Sequence, residues 1–235
     1  NIQANGHYTG RYFNGTVMCD DPNLKFIFFF FFTFAKNIDQ ASKYNFFANI
    51  TYANLVALNF DKKNTVSELS VKANSRFINL ANGSIKGNVV ISDASYKSDN
   101  GKYSVKKMTL NSLNSASVNS IDFTAPFARA KYSGPEPLDI FVKKAIDVSL
   151  HSKMDNFFNR DTSAIYSNGE YNFSVNTYQI GNLCRIINRS LYIEDSSKVS
   201  FKLDSANVLR ANLSSGRMAL GSNYLKDFNL FLASS

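Results

Sequence analysis

"KFIFFFFFTFAK", Lys25 to Lys36, holds Phe28 to Phe32 as an unbroken run, with Phe26 and Phe34 beside it and a lysine at each end. The segment shows no polar face, so periodicity does not separate helix from strand, and length has to. As a helix, residues 26–35 would reach about 15 Å, half of a bilayer core. As a strand they would reach about 33 Å. No stretch attains the roughly 18 consecutive apolar residues that a membrane-spanning helix needs, so no transmembrane helix is expected. The run therefore reads as a central strand. Because it does not alternate, it is expected to be buried on both faces, one against the protein core and one against something else. Left exposed, it would invite aggregation.

Outward from this run the period-2 signal is clear. In "YNFFANITYANLVALNF" the even positions Tyr44, Phe46, Ala48, Ile50, Tyr52, Val56, Leu58 and Phe60 predict one long, one-faced strand with a break at Asn54. From Ser67 to Asn79, Leu69, Val71, Ala73 and Phe77 share a side opposite Glu68, Ser70, Lys72 and Asn74. Asn100-Gly101 lies between two candidate strands and predicts a hairpin. Segments 170–180, 197–203 and 217–220 also read as strands.

One segment breaks the pattern. In "PEPLDIFVKKAIDVSLHSKMDNFF", Leu138, Phe141, Val142, Ala145, Ile146, Leu150, Met154, Phe157 and Phe158 form an apolar stripe, with Asp139, Lys143, Asp147, His151 and Asp155 opposite. This predicts an amphipathic helix over about 137–158, led in by Gly134 and two prolines. The fold class expected is α+β, predominantly antiparallel β: a long curved sheet with one principal helix, in one domain. Segments 67–84 and 197–214 share Ser, Lys, Ala and Asn at matching places, which leaves a weak internal duplication open.

Composition agrees with a β-rich globular protein. The chain has 44% hydrophobic and 19% charged residues, outside the range of a disordered chain. Asn and Ser, 29 of each, disfavour helix, whereas 21 Phe and 12 Tyr suit pleated surfaces. The net charge of +8 comes from lysines placed singly or in pairs, without the clustered basic and aromatic residues of a nucleic-acid site, so no nucleic-acid partner is expected.

The strands, then "IKGNVVISDASYKSDNGKYSVKKMTL" (85–110), then the amphipathic helix resemble the takeout and juvenile-hormone-binding proteins over residues 44–158. These belong to the tubular lipid-binding superfamily. The resemblance implies a curved antiparallel sheet wrapped on a long helix around an apolar tunnel. It carries over no individual residue.

Catalytic signatures are few. There is no Gly-X-Ser-X-Gly, no His-Glu-X-X-His, no phosphate-cradling glycine loop and no Cys-X-X-Cys, and the histidines are two, His7 and His151. Asp20-Asp21-Pro22-Asn23 offers hard oxygens for calcium but reads first as a turn. The expectation is a non-enzyme with no cofactor and no metal. An apolar sheet face closed by a helix makes either a solid core or a cavity. The candidate lining residues are Phe28, Phe30, Phe32, Phe46, Ile50 and Phe141. The expected function is a secreted carrier of a lipid or other elongated apolar molecule. The alternative is a structural or adhesive extracellular glycoprotein whose Phe-rich core holds no ligand.

A secreted chain would accommodate a Cys19–Cys184 disulfide, worth about 5 kcal/mol on the chain-entropy account; two inert buried thiols are the other reading. The sequence starts with Asn1 rather than Met, so it is read as either processed or a fragment. Six glycosylation sequons, at Asn14, Asn49, Asn82, Asn172, Asn188 and Asn212, permit modification without arguing for it. With 29 Asn and 38 Ser plus Thr, chance alone gives about five.

Overall fold

Alternating apolar and Asn, Ser or Lys side chains carry most of this chain into strands. The computed structural model describes residues 1–37, 40–80, 85–143, 169–188, 190–206 and 208–233. The first nine strands are β1 (Ile2–Thr9), β2 (Tyr12–Asp21), β3 (Leu24–Thr33), β4 (Ser42–Asn54), β5 (Ser67–Asn79), β6 (Ile85–Ser98), β7 (Gly101–Asn114), β8 (Asn119–Ala125) and β9 (Ala128–Gly134). Residues 138–143 then form helix α1. There follow β10 (Tyr171–Thr177), helix α2 (Ile180–Ile187), β11 (Leu191–Ile193), β12 (Lys198–Leu203), β13 (Leu209–Leu220) and β14 (Asn223–Ala233). All fourteen strands join one open, curved, predominantly antiparallel sheet.

The connectivity is a meander from β1 to β10, continued by β12 and β13. β12 and the short β11 pair with successive parts of β13, and β14 runs along it as well. Register is kept by the turns. Pro22-Asn23 closes β2 onto β3, and the Asp21 carboxylate accepts the Asn23 amide at 2.9 Å, so the candidate calcium stretch is a turn. Asp99-Asn100 closes β6 onto β7, one residue before the expected pair, with Gly101 at φ +129°. A line of irregularities crosses four neighbouring strands. The pairing shifts at Lys25/Phe26, at Ile50/Ala53 and at Ser70/Lys72, and Asp93 sits at φ +49°. Such bulges bend and twist a sheet locally.

The register assigns every side chain to one of two faces. Phe13, Phe28, Phe30, Phe32, Phe46 and Phe77 fall on one, here called the aromatic face. Every buried strand residue described lies on that face, from Cys19 on β2 to Ala211 on β13. The main core forms where α1 covers it: Phe141 packs against Tyr132 at 5.6 Å and Tyr171 at 5.3 Å, with Leu203 and Leu209 alongside. Fully burying a side chain of this size is worth about 1.5–3 kcal/mol. α2 packs beside β6, β7 and β11, burying Cys184 and Ile186, and the Ser98 hydroxyl donates to the Ile186 carbonyl at 3.0 Å.

Several expectations are corrected. β3 is interior to the sheet, but neither of its faces is fully buried: Phe28, Phe30 and Phe32 are half-buried, and Phe29 and Phe31 are each 43% exposed. The strand begun at Tyr44 stops at Asn54. The bulge at Thr51 moves Tyr52 off the aromatic face, and a turn follows in which Asn59 is left-handed and Phe60 is exposed. The strand of segment 170–180 ends at Thr177, and α2 begins at Ile180. Of the helix expected over 137–158, residues 144–158 lie outside the described residues. The two segments with shared letters differ in structure: 67–79 is the single strand β5, whereas 197–214 spans the β12–β13 pair. Cys19 and Cys184 are buried and unbonded. β2 is four strands from β6, which α2 abuts, and bridging needs Cα atoms within about 7 Å.

Candidate functional site

Two surfaces could hold a ligand, one on each face of the sheet. The first is the aromatic face over β2–β5. Phe30 is its centre, with ring centroids 5.0 Å from Phe13, 5.8 Å from Phe28 and 5.4 Å from Phe32. Phe28 reaches Phe46 at 5.8 Å, and Phe46 reaches Phe77 at 6.2 Å. The rings lie low because glycines receive them. A Cβ on Gly15 would come within 2.5 Å of the Phe30 ring, and one on Gly87 within 2.2 Å of the Phe77 ring. The outcome is a low aromatic pavement on which these rings stay half-buried. Small residues sit between them: Ala48, Ala73 and the buried Ser75, whose hydroxyl has no hydrogen-bond partner among the described residues.

The second surface is a trough of about 1020 Å3 on the opposite face, running from β5 to β14. Alternation identifies the face: Arg76 and Ile78 line the trough, while Phe77 between them does not. The cationic lining is Arg76, Lys86, Lys131, Lys202 and Arg210, against the single carboxylate of Asp122. Ile78, Leu113 and Phe231 add apolar surface, and Asn88, Asn111, Asn172 and Asn212 add amides. Lys131 pairs with Asp122 at 3.7 Å, Lys202 with Glu170, and Arg210 with Asp204 at 3.3 Å. The amide of Val208, that of Ala206 and Arg210 itself hold the Asp204 carboxyl below the usual range. Arg76 and Lys86 make no ion pair among the described residues.

The expected lining residues divide between two places. Phe28, Phe30, Phe32, Phe46 and Ile50 meet on neighbouring strands of the aromatic face. Phe141 does not join them. It is 2% exposed and closes the core at β9 and β10, where it faces no open space. That core carries its own polar group: the Tyr132 hydroxyl donates to the Glu136 carbonyl, and the Tyr171 hydroxyl donates to the Glu136 carboxylate at 2.6 Å. Burial, then the nearby Glu136 charge, pushes Tyr132 up to about 12; burial and the Glu136 hydrogen bond raise Tyr171 further.

The sequons are equally informative in place. Asn14, Asn49, Asn172 and Asn212 lie within strands on the face opposite the pavement, and Asn172 and Asn212 line the trough. Asn188 caps the end of α2, and Asn82 lies outside the described residues. Burial raises the pKa of Cys184, which makes it an unreactive thiol. His151 lies outside the described residues, and no three of His, Cys, Asp and Glu converge among those described. No helix described is long and apolar enough to cross a membrane.

Reading the sequence missed the trough altogether. Its lining comes from eight strands and β14, and the one linear signal was that Lys or Arg recurs opposite the apolar positions of five of them, at Arg76, Lys86, Lys131, Lys202 and Arg210. No family model, curated protein or solved structure matches this chain.

Proposed function

We propose that the protein is a non-catalytic carrier of a lipid or other elongated apolar molecule, held on the aromatic pavement of β2–β5. One observation carries this reading: the rings of Phe13, Phe28, Phe30, Phe32, Phe46 and Phe77 are contiguous yet only half-buried. A sheet face of this kind is stable in water when something apolar lies on it. Among the described residues, α1 packs at Tyr132 and Tyr171 and α2 packs chiefly at β6, β7 and β11, so neither serves there as that cover.

The pavement is a contiguous series of six rings across β2–β5, which suits an extended acyl or isoprenoid chain better than a compact ring system. Native mass spectrometry of the purified protein, followed by organic extraction, is the direct test. A bound lipid in the native spectrum is expected. A fluorescent long-chain fatty acid should bind, and Phe30→Ala combined with Phe46→Ala should weaken it by tenfold or more, since burying each ring against a ligand is worth about 1.5–3 kcal/mol. No co-purified lipid together with no probe binding would leave the structural or adhesive reading in its place.

A further inference from the structure

The trough on the opposite face is independent of the pavement, and its chemistry differs. We infer that it binds an acidic polysaccharide: a hydroxyl-rich chain bearing carboxylate or sulfate groups. Three properties argue for this occupant. The cationic side chains outnumber the carboxylate on its walls, and those of Arg76 and Lys86 have no ionic partner among the described residues. The pairs that Lys202 and Arg210 make are with half-exposed or partly exposed carboxylates, weak enough for an incoming anion to displace. Charge complementarity therefore favours an anion.

Shape then narrows the class. The trough's volume of about 1020 Å3 is at the top of the range of small-molecule pockets, so it has room for several linked sugar rings rather than a single small metabolite. Between the cations stand amides and hydroxyls, Asn111, Asn172, Ser174 and Asn212 among them, which can donate to and accept from sugar hydroxyls. A single-stranded nucleic acid would need a series of aromatic platforms; of the aromatic residues along the trough, Tyr132, Phe173 and Phe201 belong by register to the opposite face, which leaves Phe231. The aliphatic stems of the lysines and arginines supply apolar surface for the faces of the sugar rings.

The test is calorimetric titration with four probes: a hexagalacturonate, a heparin hexasaccharide, neutral maltohexaose and an oligothymidylate, each at roughly 50 and 200 mM salt. Binding of one or both acidic sugars, weakened by salt, is expected, and whichever binds tighter identifies carboxylate or sulfate as the recognised group. Maltohexaose should not bind. Arg76→Ala with Lys86→Ala should reduce affinity about tenfold or more, because charge-assisted hydrogen bonds are lost. The same double loss of charge at Lys62 and Lys63, outside the trough, should leave affinity within about twofold. The melting temperature and the fatty-acid binding of the trough variant should equal those of the parent protein, which separates this inference from the carrier reading. Tighter binding of the oligothymidylate, an equal loss from the Lys62/Lys63 variant, equal binding of maltohexaose, or no binding of any probe would overturn it. So would mass mapping that finds glycans on Asn172 or Asn212, since an attached glycan would fill the trough.

Discussion

The aromatic face is one surface with two fates. Where α1 lies on β9 and β10 its rings are sealed: Tyr132 is 3% exposed and Tyr171 is fully buried beneath Phe141 of α1, while Phe173 and Phe201 at the edge of that core stay partly buried. Over β2–β5 rings of the same kind, on the same face of the same sheet, are left half-open. The difference is a cover, not composition. A sheet alone buries small residues such as Ala53 and Ser75 between their larger neighbours, but a phenylalanine ring needs a second layer. Where α1 supplies that layer the face is core. Where no described element does, the face is available.

The largest effect should come from the sealed end. Phe141→Asp would place an unpaired charge against Tyr132 and Tyr171 and should prevent stable folding, while Tyr171→Ala should cost about 3–5 kcal/mol, both read by denaturant unfolding. Near-native stability for either would mean that the two ends do not differ. Next comes the fit of the pavement. Gly15→Ala would drive a methyl group to within 2.4 Å of the Asn5 carbonyl and 2.5 Å of the Phe30 ring. Overpacking of this kind costs about 1–3 kcal/mol, and displacement of the ring should reduce fatty-acid binding together with the melting temperature.

Truncations on β3 should separate by parity. Phe30→Ala should lower stability by less than the sealed-end range of about 3–5 kcal/mol and impair probe binding; Phe29→Ala, on the more exposed face, should lower stability less again and leave binding intact. Equal losses at both positions, with unchanged binding, would remove the distinction between the faces.

Alkaline pH tests the sealed end alone. Tyr132 and Tyr171 hold their protons more tightly when folded than the unfolded value of about 10. Their contribution is fully present below pH 10 and is lost as pH rises from there through about 12, because the unfolded chain releases those protons first. Unfolding free energies measured across that window should fall, and Tyr132→Phe should flatten the slope. The smallest effect belongs to the exposed side of α1: Lys143→Asp should change stability by less than about 0.5 kcal/mol in the same assay.

Much of this architecture could be read from the sequence, for a physical reason. Side-chain alternation is local, so β5 with Leu69, Val71, Ala73 and Phe77 on one side came out as read, as did the β6–β7 hairpin to within one residue. What escaped were elements whose signal is short or absent. β1 carries Gln3, Asn5, His7 and Thr9 and is exposed throughout, so it shows little contrast between its faces. α2 is two turns long and contains Gly181 and three isoleucines, weak helix formers; it is held by burial of Cys184 and Ile186 rather than by propensity. The strand from Tyr44 was read too long because a bulge at Thr51 reverses parity without altering composition.

The candidate sites divide along the same line. That Phe28, Phe30, Phe32, Phe46 and Ile50 belong together followed from the sequence, since alternation and antiparallel neighbours place them side by side. That Phe141 stands apart from them depends on where α1 lands, which is a contact between residues far apart in the chain. The trough depends on curvature, which brings walls from β5 to β14 round a common space; no window of sequence contains that information. The sequence by itself determined the β-rich class, the two-faced strands and that no apolar stretch is long enough for a bilayer-spanning helix. Only the tertiary structure decided which half of the aromatic face is core, that the two cysteines stay apart, and that scattered lysines and arginines line one concave wall. Pleat and periodicity act over neighbouring residues, whereas burial and curvature are set by the whole sheet.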